Sequence, residues 1–205
     1  MSVLEASERR GAGRIPRAGA RDRVLAAARQ LFVRRGYFNT SMPEIVREAG
    51  VSVGSIYHHF ADKQAIASAL YRETMEGILA AMRELAEPEP TARGRLQALT
   101  RLLYEACERD PDRLEYMLFV RHSEVDPEEP PICLAAPFQA VERWIEEGQR
   151  RGEIVPGSTE LVAGVFMGSI LKVVELRLRG RIDRPLPRAA CDAFALAWRA
   201  IAAAP

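Results

Sequence analysis

From about residue 20 onward the apolar positions recur at helical spacing. Val24, Leu25, Ala28, Leu31 and Phe32 follow the i, i+3, i+4, i+7 rule, which predicts an amphipathic helix stopped by Gly36. Ser41 stands three residues before Glu44, the spacing of a capping box, and Pro43 falls in the first turn, where a missing N–H costs nothing. A short helix from Met42 to Ala49 is therefore predicted, with Ile45, Val46 and Ala49 inward and Gly50 at its end. Ser52 caps the next short helix, Val53 to about Phe60, and Val51 and Ile56 have the spacing of a hydrophobic staple. Asp62 caps a long fourth helix to about Leu85, which the run Glu87-Pro88-Glu89-Pro90 breaks. Five further helical segments follow, at about 91–109, 111–123, 134–151, 158–180 and 186–203. Breaks fall at Asp110-Pro111, Pro130-Pro131, Gly152 with Pro156, and Arg184-Pro185. No β-rich alternating run or internal repeat is present, so the fold class is all-α, with about nine helices.

Two short helices around a glycine-containing turn form a helix-turn-helix. The second would enter a major groove with its N-terminal residues toward the bases. Gly54 and Ser55 are small enough for close backbone approach, and Tyr57 and His58 fall on the exposed face. Ile56 and Phe60, four apart, share the opposite face. Lys63 lies at the start of the fourth helix, where a phosphate would also meet unpaired backbone N–H groups. Tyr57 as a partly buried core aromatic is the alternative reading, and His59 is expected to pack or hydrogen-bond rather than read bases. Adjacent helical residues point about 100° apart, so His58 and His59 are not expected to chelate one ion, and no metal site is expected.

The run Thr40-Ser41-Met42-Pro43-Glu44-Ile45-Val46-Arg47-Glu48-Ala49-Gly50-Val51-Ser52-Val53-Gly54-Ser55-Ile56-Tyr57-His58-His59-Phe60-Ala61-Asp62-Lys63 resembles the DNA-binding signature of the TetR family of regulators. The resemblance covers about residues 22–70, and beyond that it is one of architecture. It implies a double-stranded, palindromic DNA operator as partner. Tyr57 and Lys63 would stand at phosphates, with Val53, Gly54, Ser55 and His58 at or near base edges. Ser41 and Ser52, at the helix starts, join that DNA-facing set. Val53 departs from the polar residue often found there; it can touch a thymine methyl but cannot hydrogen-bond a base.

Charge fits this reading. The net charge is +1, yet residues 1–63 carry 11 Arg and Lys against 6 Asp and Glu, and the remainder 18 against 22. A basic end on a nearly neutral chain suggests a surface that meets a polyanion. Residues 1–19, without periodicity, read as a basic arm; Arg9, Arg10, Arg14 and Arg17 either reach DNA or are simply solvated. Residues 20–65 read as the helix-turn-helix domain and 66–205 as a helical regulatory and dimerisation domain. No apolar stretch has membrane-spanning length and the N-terminus has no apolar signal core, so a cytoplasmic protein with no membrane partner is expected. Cys107, Cys133 and Cys191 lack metal or disulfide spacing and read as small hydrophobes. No G-x-S-x-G, H-E-x-x-H, P-loop or Rossmann fingerprint occurs, so neither an enzyme nor a cofactor is expected.

Segment 158–180 is apolar nearly all round, with Leu161, Val165, Phe166, Ile170 and Val174 among its residues, so two of its sides need covering. Gly164 and Gly168, four apart, permit close helix approach. The last helix carries a stripe of Ala190, Ala193, Phe194, Ala197, Trp198 and Ile201. The resemblance implies that these two helices pair with their copies across a two-fold axis, giving a homodimer. It also implies an effector pocket, apolar with few polar groups. The bulky inward residues that would line it are Met75, Leu79, Met82, Leu103, Tyr104, Cys107, Tyr116, Phe119, Phe138, Val141, Trp144, Phe166, Met167 and Ile170. They suit a hydrophobic or aromatic small molecule that releases a repressor from its operator. His122 and Glu124 either orient such a ligand or sit at the surface. The alternative is a DNA-binding regulator or architectural protein controlled by a protein partner.

Overall fold

The computed structural model describes residues 19–120, 125, 126, 131 and 134–204, and His122, Glu124, Cys133 and the arm arginines lie outside them. Nine α-helices occur among the described residues: α1 Ala20–Arg35, α2 Met42–Ala49, α3 Val53–His59, α4 Lys63–Ala86 and α5 Ala92–Arg109, then α6 Pro111–Phe119, α7 Ala136–Arg150, α8 Thr159–Leu178 and α9 Ala190–Ile201. A 3₁₀ turn, Leu186–Ala189, precedes α9, and the one extended pairing among the described residues is an isolated bridge between Ile154 and Ala202.

The starts follow from local chemistry. The Ser41 N–H and hydroxyl both donate to the Glu44 carboxylate, at 2.8 and 2.7 Å. The Ser52 hydroxyl accepts from the Ser55 N–H, and the Asp62 carboxylate from the Ala65 N–H. Gly50 ends α2 in the left-handed conformation, at φ 60°, where a Cβ would be strained. Two expected helices are shorter than their periodicity suggested. The segment at 111–123 leaves helical geometry at Val120, whose backbone is extended. That at 186–203 opens as a 3₁₀ turn because Pro185 and Pro187 supply no N–H. It closes at Ile201, after which Ala202 turns out to pair with Ile154.

Apolar side chains gather into two cores. The N-terminal core unites Val24, Leu25, Ala28, Leu31 and Phe32 of α1 with Ile45, Ala49, Ile56 and Phe60, and with Ile66 and Leu70 of α4. From Tyr71 onward α4 serves the second core, where Met75 and Met82 join apolar residues of α5, α7, α8 and α9 in one cluster. The two cores thus divide within one unbroken helix. Tyr116 of α6 lies in the N-terminal core, stacked on Phe32 and donating its hydroxyl to the Ala67 carbonyl at 3.0 Å. Arg29 of α1 pairs with Asp110 at 3.1 Å. Gly148 of α7 is needed for packing: a Cβ there would lie 2.7 Å from Ala92 and from Ile154.

Candidate nucleic-acid interface and interior cavity

The exposed face of α3 is built by its length and its anchors. Ile56 is fully buried and Phe60 nearly so, and this pins one side of the helix to the N-terminal core. Val53, Gly54, Tyr57 and His58 consequently face outward, with Val53 61% and Tyr57 52% exposed. An exposed β-branched residue and an exposed aromatic on one short helix leave more than half of their surface to solvent. Gly54 adds to this, because a Cβ at that position would meet nothing within 4 Å. The fold therefore has no use for the missing side chain, although glycine costs a helix roughly 1 kcal/mol relative to alanine. Ser41 and Ser52 are exposed, and Ser55 half-buried. His59, expected to pack, is exposed, its ring beside those of His58 and Phe60. The reason is length: α3 ends at His59, so no following turn covers it.

Lys63 is more than a surface cation. Its Nζ donates to the carbonyls of Tyr37 and Thr40, at 2.8 and 2.7 Å, and lies 4.3 Å from the centre of the Tyr37 ring. Burial holds its ammonium below the usual lysine range, with the Glu44 charge opposing that shift. Lys63 thus ties the first turn of α4 to the α1–α2 connection. Thr40, missed in the sequence, is buried and donates its hydroxyl to the Gly36 carbonyl at 2.9 Å. No spacing rule reports the Lys63 tie, which spans more than twenty residues. Glu44 is held below the ordinary carboxylate value, first by the Ser41 hydroxyl and then by the Ser41 N–H. It also meets Arg35 at 2.7 Å. Among the described residues no group of three or more His, Cys, Asp or Glu is placed to hold a metal, and no helix is long and apolar enough to cross a membrane.

In the second core, Met75, Met82, Leu103, Phe138, Val141 and Met167 surround one interior space, joined by Ile78, Leu99, Met117, Pro137 and Leu171, which the sequence did not single out. Its free volume is about 30 Å³, room for one or two waters, and no lining side chain is polar. The other pocket candidates lie elsewhere. Leu79 and Trp144 border an open groove beside Arg83 and Arg143. Tyr104, Cys107, Phe166 and Ile170 are packed in the core. Tyr116 belongs to the N-terminal core, and Phe119 lies beneath the Arg179 guanidinium, 4.4 Å from its ring centre. Periodicity identifies an inward face but not which neighbour that face meets. The Tyr104 hydroxyl is buried and has no hydrogen-bond partner among the described residues, and burial pushes its pKa up to about 12.

Helix α8 has two characters. Ala163, Phe166, Met167, Ile170 and Val174 are buried, whereas Leu161, Gly164, Val165 and Gly168 are exposed on its other side, as is Leu196 of α9. A Cβ at Gly164 or Gly168 would meet nothing within 4 Å.

Residues 24–70 match the family model of bacterial regulatory proteins of the tetR family. The HTH-type transcriptional activator FasR of Mycolicibacterium smegmatis is 33% identical over 102 residues, which is 50% of this chain and 46% of that protein. The chain thus spans about half the length of the curated relatives it matches. Among solved structures, the fatty acid degradation regulator FadR from Bacillus halodurans superposes with a TM-score of 0.78 at 18% identity, over 89% of this chain and 96% of that one. The transcriptional regulator FadR from Bacillus subtilis, in complex with stearoyl-CoA, gives 0.74 at 22% identity, over 85% and 96%. At these identities the structures share the fold.

Proposed function

Because the chain belongs to the TetR family of bacterial regulatory proteins, we propose that it is a homodimeric transcriptional repressor that binds a palindromic DNA operator and is released by an apolar small molecule. One observation carries the DNA reading: α3 presents Val53, Gly54, Tyr57 and His58 on one exposed face. A methyl-sized contact from Val53, a close backbone approach at Gly54 and polar reach from Tyr57 and His58 suit base edges and phosphates in a major groove. Ser41, Ser52, Ser55 and Lys63 flank that face. Two such helices must sit about 34–36 Å apart to enter successive grooves. The exposed side of α8 with Leu196 supports the two-fold contact that would set this distance, since an apolar stripe broken by two glycines admits a second helix closely.

The effector reading rests on the methionine-lined space beside α4. That helix carries Lys63 at one end and Met75 and Met82 further along, so a ligand filling the space is placed to shift it. The B. subtilis regulator bound to stearoyl-CoA supports an apolar occupant. The test is selection of random duplexes by the full chain. A palindromic site is expected, and Tyr57→Ala should weaken its binding at least tenfold without altering the melting temperature. Retention of no duplex above non-specific binding would overturn the proposal.

A further inference from the structure

We propose that the effector is an anionic amphiphile: an unbranched acyl chain in the interior cavity with a negatively charged head at Arg109 and Arg113. The inference rests on the effector reading above and names the chemistry of that site. Four methionines, Met75, Met82, Met117 and Met167, line the cavity. Only six occur in the chain, and these four converge on one space. Methionine is unbranched and reshapes readily, which suits a space whose own side chains leave only about 30 Å³ free and must move aside for a flexible chain. With no polar lining group, the cavity offers nothing to orient a polar ligand and would leave one unsatisfied.

The polar recognition lies next door. A groove of about 300 Å³ opens between α4, α5 and the start of α6. Ile78 and Leu103 border both spaces, so their side chains form the partition between groove and cavity. The groove floor is apolar, and its outer end carries Arg109 and Arg113, both exposed. Neither guanidinium has an acidic partner among the described residues. The acidic side chain that borders the groove, Asp110, is committed: it pairs with Arg29 at 3.1 Å and accepts from the Arg113 N–H at 3.2 Å. The N-terminus of α6 points its positive end at the same place. An anion there would meet two unpaired guanidinium groups, each able to bind a carboxylate or phosphate with two hydrogen bonds. A chain attached to that anion would lead past Ile78 and Leu103 into the methionines. The dimer face proposed above lies on α8 and α9, so this groove stays open in the dimer.

The test is calorimetric titration of the full chain, without DNA, against straight-chain fatty carboxylates of eight to sixteen carbons, their coenzyme A thioesters, and the matching alcohols. At least one anionic series should bind tenfold or more tighter than the alcohol of equal length. The series that binds tighter identifies the head as carboxylate or phosphate. Arg109→Gln with Arg113→Gln should abolish that preference while alcohol binding and the melting temperature persist. Met82→Trp should weaken all three series. Equal binding of anion and alcohol, a preference that survives the double substitution, or no binding by any probe would overturn the proposal. Anion binding that leaves operator affinity unchanged would instead refute the regulatory reading and leave this site standing. Intact operator binding with no amphiphile bound would refute this site alone.

Discussion

Replacing Lys63 with methionine keeps the aliphatic stem and removes the charge. The ammonium donates two hydrogen bonds, to the carbonyls of Tyr37 and Thr40. Hydrogen bonds from charged groups contribute about 1.5–3 kcal/mol each, and the contact with the Tyr37 ring adds about 0.5–1 kcal/mol. Lys63 is half-buried, so the low end of each range applies, and the loss is about 3.5 kcal/mol. That is a large part of a typical domain stability of about 5–15 kcal/mol. At about 2–4 °C per kcal/mol for a chain of this size, the melting temperature should fall by roughly 7–14 °C. The assay is thermal unfolding followed by circular dichroism at fixed protein concentration. Operator affinity should then be measured over a salt series at a temperature where the variant is folded. Two of the three N–H groups are taken, which leaves one for a phosphate, and losing that contact should reduce the slope of log K against log salt by about 0.9 for each protomer bound. A variant that melts within 2 °C of the parent would refute the structural tie, and an unchanged slope would remove Lys63 from the phosphate contacts.

Gly164→Ala with Gly168→Ala should raise helix propensity by up to about 1 kcal/mol each yet weaken self-association; sedimentation showing an unaltered dimer would place the two-fold contact elsewhere. Tyr104→Phe removes a buried hydroxyl without a partner among the described residues and should leave unfolding free energy unchanged or raise it by about 1–3 kcal/mol; a clear loss in chemical denaturation would mean that the hydroxyl is satisfied. Glu44 has a lowered folded pKa, so its contribution to stability is complete above the unfolded value and is lost as pH falls through the lowered one. Ser41→Ala should move the Glu44 titration upward toward its ordinary value, as read by carboxyl NMR; an unmoved titration would contradict the hydrogen-bonded cause. Asp110→Asn keeps a side chain able to cap α6 but neutralises the partner of Arg29, so it should change stability by no more than about 1 kcal/mol while reducing the response of operator affinity to effector.

The exposed side of α3 was legible because its determinants are local. Ser52 caps within three residues, Ile56 and Phe60 repeat within one turn, and Gly50 sits where the backbone turns left-handed. The helix count was legible for the same reason, since proline or glycine stands at most of the breaks between helices. The cavity was legible only in part. Met75, Met82, Leu103, Phe138, Val141 and Met167 reach it, but helical spacing treats every inward residue alike. It could not separate Tyr116, which crosses to the other core, from Met117 beside it, which lines the space. Which way a side chain turns at such a junction depends on helices far off in sequence. The Lys63 tie and the Arg29–Asp110 pair were hidden for that reason too.

Those long-range contacts bear on how an effector in the second core, as proposed above, would reach the exposed side of α3. The route along α4 is continuous, since one helix holds Lys63 and Met82 and serves both cores. A second route runs through α6. Tyr116 anchors that helix in the N-terminal core through Phe32 and the Ala67 carbonyl, while its neighbour Met117 borders the cavity. Asp110 caps α6, holds Arg29 of α1 and borders the groove. Close-packed elements move as units rather than deforming continuously. Widening the cavity against Met117 would therefore shift α6, and with it the anchors of α1 and α4 together. Because α1, α2 and α3 share one core, they would follow as a body, changing the separation of the two recognition helices in a dimer. The ligand must still prefer one arrangement: a hundredfold loss of operator affinity requires a difference of about 2.7 kcal/mol between the two states. At about 25 cal/mol per Å², that corresponds to roughly 110 Å² more apolar surface buried in the shifted state than in the DNA-bound one, an area a few methylene groups can supply.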